Sequence, residues 1–189
     1  MLTLYIDTHA SFIELILFKN GKVLDHVSRK EVVMQSSMIM PSLEDLLKRN
    51  NVVVKDLSDI IVINGPGSFT GVRLGVTIAK CLAFTLQIPI RVMSSLLIKA
   101  VSNEEKGYHW FVEEEKNGYY FGKFNELDEL INDYIHVKKG DYETFSQNRD
   151  IIVHVDLNYE MIYEFSRNLN PINPHMVKPL YVKLIEVQK

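Results

Sequence analysis

Residues 59–87, DIIVINGPGSFTGVRLGVTIAKCLAFTLQ, set an apolar strand, a glycine-rich turn and an apolar helix end to end. Such a unit needs a sheet for its strand to enter and for its helix to cover, which points to an α/β fold. Four of the chain's nine glycines fall between Gly65 and Gly75. Phosphate-binding loops are built the same way, so the spacing can be tested. A Walker-type loop needs glycine, four residues and then Gly-Lys-Ser/Thr. Counting from Gly65 arrives at Thr70 and from Gly67 at Val72, and the loop holds no Gly-Lys pair. The dinucleotide spacing Gly-x-Gly-x-x-Gly also misses, because Thr70 occupies the third glycine's place and Gly71 comes one residue late. The loop Gly65, Pro66, Gly67, Ser68, Phe69, Thr70 therefore reads as a tight structural turn ahead of a phosphate cradle. An anion resting on the helix N-terminus stays open as the weaker alternative.

The rest of the chain reads as two similar halves. LTLYI (2–6) and FIELILF (12–18) are strands, and Asn20-Gly21 is a hairpin turn leading into KVLDHVS. Residues 34–50 form a helix, with Pro41 either kinking it or marking its true first turn. A strand at IRVM (90–93) precedes a helix opened by Ser94 and Ser95. NEEKG (103–107) is polar and ends in glycine, as a hinge would. The second half then restarts: YHWFVEE and YYFGKFN flank Lys116-Asn117-Gly118. A short helix at NELDELIND, a strand at DIIVHV (150–155) and a helix at NYEMIYEFSRNL follow. The expectation is a duplicated α/β architecture, with an N-terminal lobe at 1–103 and a shortened C-terminal lobe at 104–189.

Composition narrows the class. With 189 residues, 47% hydrophobic and 24% charged, the chain can bury a sizeable core in the manner of a soluble globular protein. The start MLTLYIDTHAS lacks a basic segment, so no signal peptide is expected, and no apolar run is expected to span a membrane. The single Cys81 excludes an internal disulfide and fits a reducing cytosol. A net charge of −3 gives no bulk attraction to nucleic acid.

Catalytic constellations are mostly missing. The histidines at 9, 26, 109, 136, 154 and 175 show no helical ligand spacing, so neither a metal nor another cofactor is expected. Ser68 is not in a nucleophile elbow, and Cys81, inside an apolar helix, reads as a buried structural thiol. Asp7 ends the first strand; it is either a catalytic carboxylate or the start of an Asx-type turn with Thr8. Glu113, Glu114 and Glu115 read as a solvated turn.

The helix after the glycine loop carries small residues every fourth position: Gly71, Gly75, Ala79 and Ala83. Such a ridge admits a second helix closely. The helix at 34–50 could be that second helix, yet Met34 and Met38 give it an adaptable stripe of its own. Arg73 stands in a first turn, where the helix dipole disfavours a cation, and calls for a carboxylate partner. Met34, Met38, Gly71, Arg73, Gly75, Ala79 and Ala83 are therefore candidates for an intermolecular interface.

GPGSFTGVRLG is similar to the signature of the TsaB (YeaZ) family, the non-catalytic subunit of bacterial threonylcarbamoyladenosine biosynthesis. YIDTHAS, SSMIMPSLEDLL and Pro179-Leu180-Tyr181-Val182-Lys183 resemble further family patterns, and Glu114-Glu115-Lys116-Asn117-Gly118 stands where the family has an Asp-Ala-Arg-x-Gly hairpin. Gln35 replaces a histidine that often opens the Leu-Pro helix. The resemblance implies an actin-like, sugar-kinase/Hsp70-like (ASKHA) fold of two duplicated lobes, the second reduced. It implies a cytoplasmic scaffold without catalytic residues, metal or cofactor, docking on a TsaD-type catalytic subunit. It further implies contact with a TsaE-type ATPase and with tRNA only through the complex, and homodimerisation when alone. The alternative is a stand-alone actin-like nucleotide hydrolase or a glycoprotease-like peptidase. The first lacks the glycine of a phosphate loop in DTHAS, and the second lacks a metal pair or an activated nucleophile.

Overall fold

Asn20 and Gly21 take positive φ (51° and 87°), as the Asn-Gly pair predicts. They join β2 (Ile13–Lys19) to β3 (Lys22–Arg29), and β2 in turn lies antiparallel to β1 (Leu2–Asp7). The computed structural model describes residues 1–30 and 34–182. On its other edge β1 pairs in parallel with β4 (Asp59–Ile63), and β4 with β5 (Ile90–Met93), giving the order β3-β2-β1-β4-β5. All of β4, and all of β1 beyond Leu2, is buried, because helices cover both faces of the sheet.

α1 (Gln35–Arg49) and α2 (Phe69–Leu86) cover one face. Ile39, Leu43 and Leu46 of α1 and Val72, Val76, Ala79 and Ala83 of α2 pack with Leu4, Ile6, Leu15, Ile60 and Val62. Pro41 sits inside α1 rather than at its first turn. The other face carries α3 (Ser95–Ser102), capped by Ser94 as expected, and α5 (Tyr159–Arg167). Ile98, Val101, Ile162 and Tyr163 there meet Tyr5, Ile16, Phe18 and Ile61. Among the described residues α2 alone is long and apolar enough to cross a membrane, which the sequence reading missed; here it lies along the sheet.

The second sheet repeats the scheme. β6 (His109–Glu115), β7 (Gly118–Phe124) and β8 (Ile135–Lys138) form an antiparallel meander, and β9 (Ile151–Ile152) joins β6 in parallel. NELDELIND is not helical: the Asn125 side-chain oxygen accepts the backbone N–H groups of Leu127 and Glu129 (both 2.9 Å), competing with helical bonding. The strand expected at 150–155 shrinks to β9. A short α4 (Tyr142–Ser146) and β8 escaped the sequence reading.

The expected boundary at 103/104 separates the two sheets but not two lobes. After β9 the chain returns to the first sheet. Asp59, buried at the head of β4, pairs with Arg91 of β5 and with Arg167 of α5 (3.0 Å), which ties that helix down. Ile172 bonds to Ile90 (2.9 Å), and Val177 joins the first core. The stretch expected as the second lobe thus divides: β6 to β9 build the second sheet, and α5 and the residues after it pack on the first.

Candidate functional site

The glycine loop is shaped by what it touches. Gly65 has φ 100°, a conformation that glycine alone adopts freely. Its carbonyl accepts from the Ser95 N–H (2.8 Å), and the Pro66 carbonyl accepts from the Ser95 hydroxyl (2.7 Å). The Ser68 N–H donates to the His9 carbonyl at 2.6 Å, and the Ser68 side chain caps α2 by accepting from the Gly71 N–H. Phe69 and Thr70 are exposed. A β-carbon on Gly67 would stand 2.1 Å from the His9 carbonyl oxygen, and one on Gly71 2.1 Å from the Thr8 carbonyl oxygen. Carbonyl oxygens, negative ends of dipoles, thus face the loop where a phosphate cradle would present N–H groups. The glycines permit close backbone approach. Gly67→Ala has no room and should cost about 1–3 kcal/mol. At ~2–4 °C per kcal/mol that lowers the melting point by several degrees in a thermal scan; an unchanged midpoint would contradict the fit.

Beneath the loop runs a buried chain of charges. The Asp7 carboxylate accepts the His9 backbone N–H (3.0 Å) and meets His9 Nδ1 at 2.6 Å, while its second oxygen accepts from the Tyr5 hydroxyl. This is the Asx-type turn expected of Asp7, with Thr8 inside it and the His9 N–H as the donor. His9 Nε2 lies 3.3 Å from Glu113 on β6, whose other oxygen lies 2.5 Å from Lys99 on α3. Burial alone would depress the His9 pKa, but the carboxylates of Asp7 and Glu113 override it and raise it to about 10. Burial likewise acts to raise Glu113, yet His9 and Lys99 hold it down at about 2. Glu113 is thus no solvated turn residue. Only Glu114 of that run points to solvent, pairing with Lys139 (3.0 Å).

Three expectations on the helices need correction. Gly71, Gly75, Ala79 and Ala83 are all buried against their own sheet, so the ridge is filled from within the chain and offers nothing to a partner. Arg73 has no carboxylate partner among the described residues; its Nε donates to the Tyr181 hydroxyl (2.6 Å) and its guanidinium lies 3.8 Å from the Phe69 ring centroid. Cys81 is exposed, because it stands on the flank of α2 turned away from the sheet.

What does lie open is the start of α1. Met34, Met38 and Met40 are 65%, 36% and 50% exposed. Gln35 anchors this end by donating to the carbonyls of Ala10 (2.6 Å) and Phe12 (2.5 Å), a role that a histidine could fill only in part. The returning chain touches the opposite flank of α2: Lys80 donates to the Val177 carbonyl, and Phe84, itself 57% exposed, meets His175 edge-on. That leaves partly exposed Leu74 and Ile78 on the flank towards α1. Among the described residues no group of three histidine, cysteine, aspartate or glutamate side chains is placed to hold a metal ion.

A three-strand meander with two parallel strands added, followed by a second sheet with the same meander and one parallel strand, is an actin-like, sugar-kinase/Hsp70-like α/β fold. In agreement, the chain superposes on an activator of 2-hydroxyisocaproyl-CoA dehydratase from Clostridium difficile, solved with bound ADPNP (TM-score 0.50, 14% identity, 74% of this chain and 46% of that one). YeaZ from Pseudomonas aeruginosa fits over 95% of this chain and 99% of its own, with TM-score 0.76 at 19% identity. The family model TsaD, tRNA N6-adenosine threonylcarbamoyltransferase, matches residues 34–109. The tRNA threonylcarbamoyladenosine biosynthesis protein TsaB of Bacillus subtilis is 41% identical over 96 residues, which make up 51% of this chain and 42% of that relative. The match thus spans less than half of that relative's length. Over these stretches the chain is similar to members of the TsaB (YeaZ) family.

The His9–Glu113–Lys99 arrangement escaped the sequence reading. One local signal for it existed: alternation along β6 puts Glu113 on the same side as buried Phe111.

Proposed function

We propose that the chain takes part in threonylcarbamoyladenosine biosynthesis on tRNA as a non-catalytic subunit, docking on a TsaD-type catalytic partner. The observation that carries this reading is the exposed methionine face at the start of α1, beside Leu74 and Ile78 of α2. Such a face adapts well to a partner's helices, and exposed large apolar side chains gathered in one place mark interaction surfaces. The same face serves a homodimer when the partner is absent; a TsaE-type ATPase and the tRNA are reached through the complex. The filled crevice supports a scaffold role: Asp7 already accepts from His9 and Tyr5, and the loop presents carbonyls to any phosphate. The interface candidates are accordingly Met34, Met38, Leu74 and Ile78.

Met34→Glu combined with Met38→Glu places charge on this face without entering the core. The double variant should stay folded and melt within a few degrees of the parent. Its affinity for the TsaD-type subunit should fall at least ~100-fold, a loss of about 3 kcal/mol at a central position. Co-purification followed by mass measurement of the complex reads the result. Undiminished co-elution would place the interface elsewhere. ATP turnover by the lone chain would favour the nucleotide-hydrolase alternative.

A further inference from the structure

A cleft of about 1170 Å³ opens between the first turn of α2, strands β7 and β8, and residues 180–182. It lies apart from the methionine face and above the sealed crevice. One wall is aromatic: Phe69 and Tyr181 are each 51% exposed, with ring centroids 5.5 Å apart. Arg73 is stacked on Phe69 and held by the Tyr181 hydroxyl, so its guanidinium is fixed in place. The facing wall brings His136, Lys138 and Lys139 over buried Tyr120. Lys139 shares its charge with Glu114 and His136 is paired with Glu115. Arg73 and Lys138 form no ion pair among the described residues.

Exposed aromatic rings beside uncompensated cations, in a chain whose net charge is −3, form a local exception to the protein's charge balance. Inorganic phosphate would use the cations and leave the rings without a role. A purely apolar ligand would use the rings and leave the cations unpaired. A planar base carrying a phosphate uses both, stacking on the rings while its phosphate meets the guanidinium and the ammonium. The cleft is somewhat larger than the ~300–1,000 Å³ of common small-molecule sites, so a ligand of nucleotide size has room in it.

We infer that this cleft binds a nucleoside phosphate, its base against Phe69 and Tyr181 and its phosphate between Arg73 and Lys138. The ligand is either a free nucleotide or one nucleotide of a single-stranded RNA. We take it to be bound and not turned over, because among the described residues the one carboxylate lining the cleft, Glu115, is engaged with His136.

The test uses the full-length protein at low salt, with calorimetric titration of AMP and of inorganic phosphate, and fluorescence polarisation of a labelled single-stranded RNA decamer. Micromolar binding of AMP identifies a free nucleotide as sufficient, and binding of the decamer alone identifies RNA as the source. Arg73→Gln, Lys138→Gln and Phe69→Ala should each weaken binding about 10-fold. Lys48→Gln, on α1 and outside the cleft, should leave it unchanged. Arg73→Lys, which keeps the charge but loses the planar stack, should recover only part of the loss. The exposed Lys138 variant remains informative if a change at Arg73 disturbs the loop. The inference is overturned if neither probe binds, if phosphate binds as tightly as AMP, or if the cleft variants bind like the parent.

Discussion

Ala79→Glu unfolds the protein. Ala79 is fully buried in the core between α2 and the sheet. A carboxylate there must either shed its charge or expose the core, and enlarging a packed site adds strain. The expected cost exceeds ~5 kcal/mol, comparable to the whole stability of a typical domain. Thr77→Glu, two residues away on the exposed side of the same helix, is the matched control and should melt near the parent. Far-UV circular dichroism and thermal melts of the two variants decide the matter. An Ala79→Glu protein that melts within a few degrees of the parent would return the small-residue ridge to the surface and overturn the packing described for α2.

Asp7→Asn should destabilise by about 3–5 kcal/mol near neutral pH, the usual result of removing one partner from a buried ion pair. The loss has a pH signature. The folded-state pKa of His9, about 10, lies above its unfolded value near 6.5. Its contribution is therefore fully present below about pH 6.5 and is lost as pH rises towards 10, by at most ~1.4 kcal/mol per pH unit. Glu113, held at about 2, behaves in the opposite sense: its contribution is present above about pH 4.5 and is lost as pH falls through 2. Urea midpoints of parent and variant at pH 6, 7.5 and 9 isolate the His9 part. The parent should weaken across this range and the variant much less. Parallel curves would show that the Asp7–His9 pair does not hold the protein together. Glu113→Gln should flatten the same dependence, because it removes the link that reaches across to the second sheet.

The glycine loop shows how a correct local reading can still leave its cause unknown. Failed phosphate spacings pointed to a structural turn, and the contacts of Gly67 and Gly71 with the carbonyls of His9 and Thr8 supply the reason. The exposure of Met34 and Met38 was legible because a methionine stripe on a polar helix is a local pattern. The ridge of Gly71, Gly75, Ala79 and Ala83 was equally visible, but small residues suit close approach to any neighbour, and here the neighbour is the chain's own sheet.

By itself the sequence determined most of the strands, the hairpin turns, most of the helices and the restart of the meander in the second half. Each of these follows from the period of apolar residues, a side-chain cap or a glycine at positive φ, all of which act within a few residues. Tertiary structure alone decided which side of α2 is buried, which charges meet in the Asp7–His9–Glu113–Lys99 chain, and that the chain after β9 returns to the first sheet. A helix has several faces, and an ion pair between residues distant in sequence has no local signature. Both are settled by which surfaces the assembled sheets leave for them to cover.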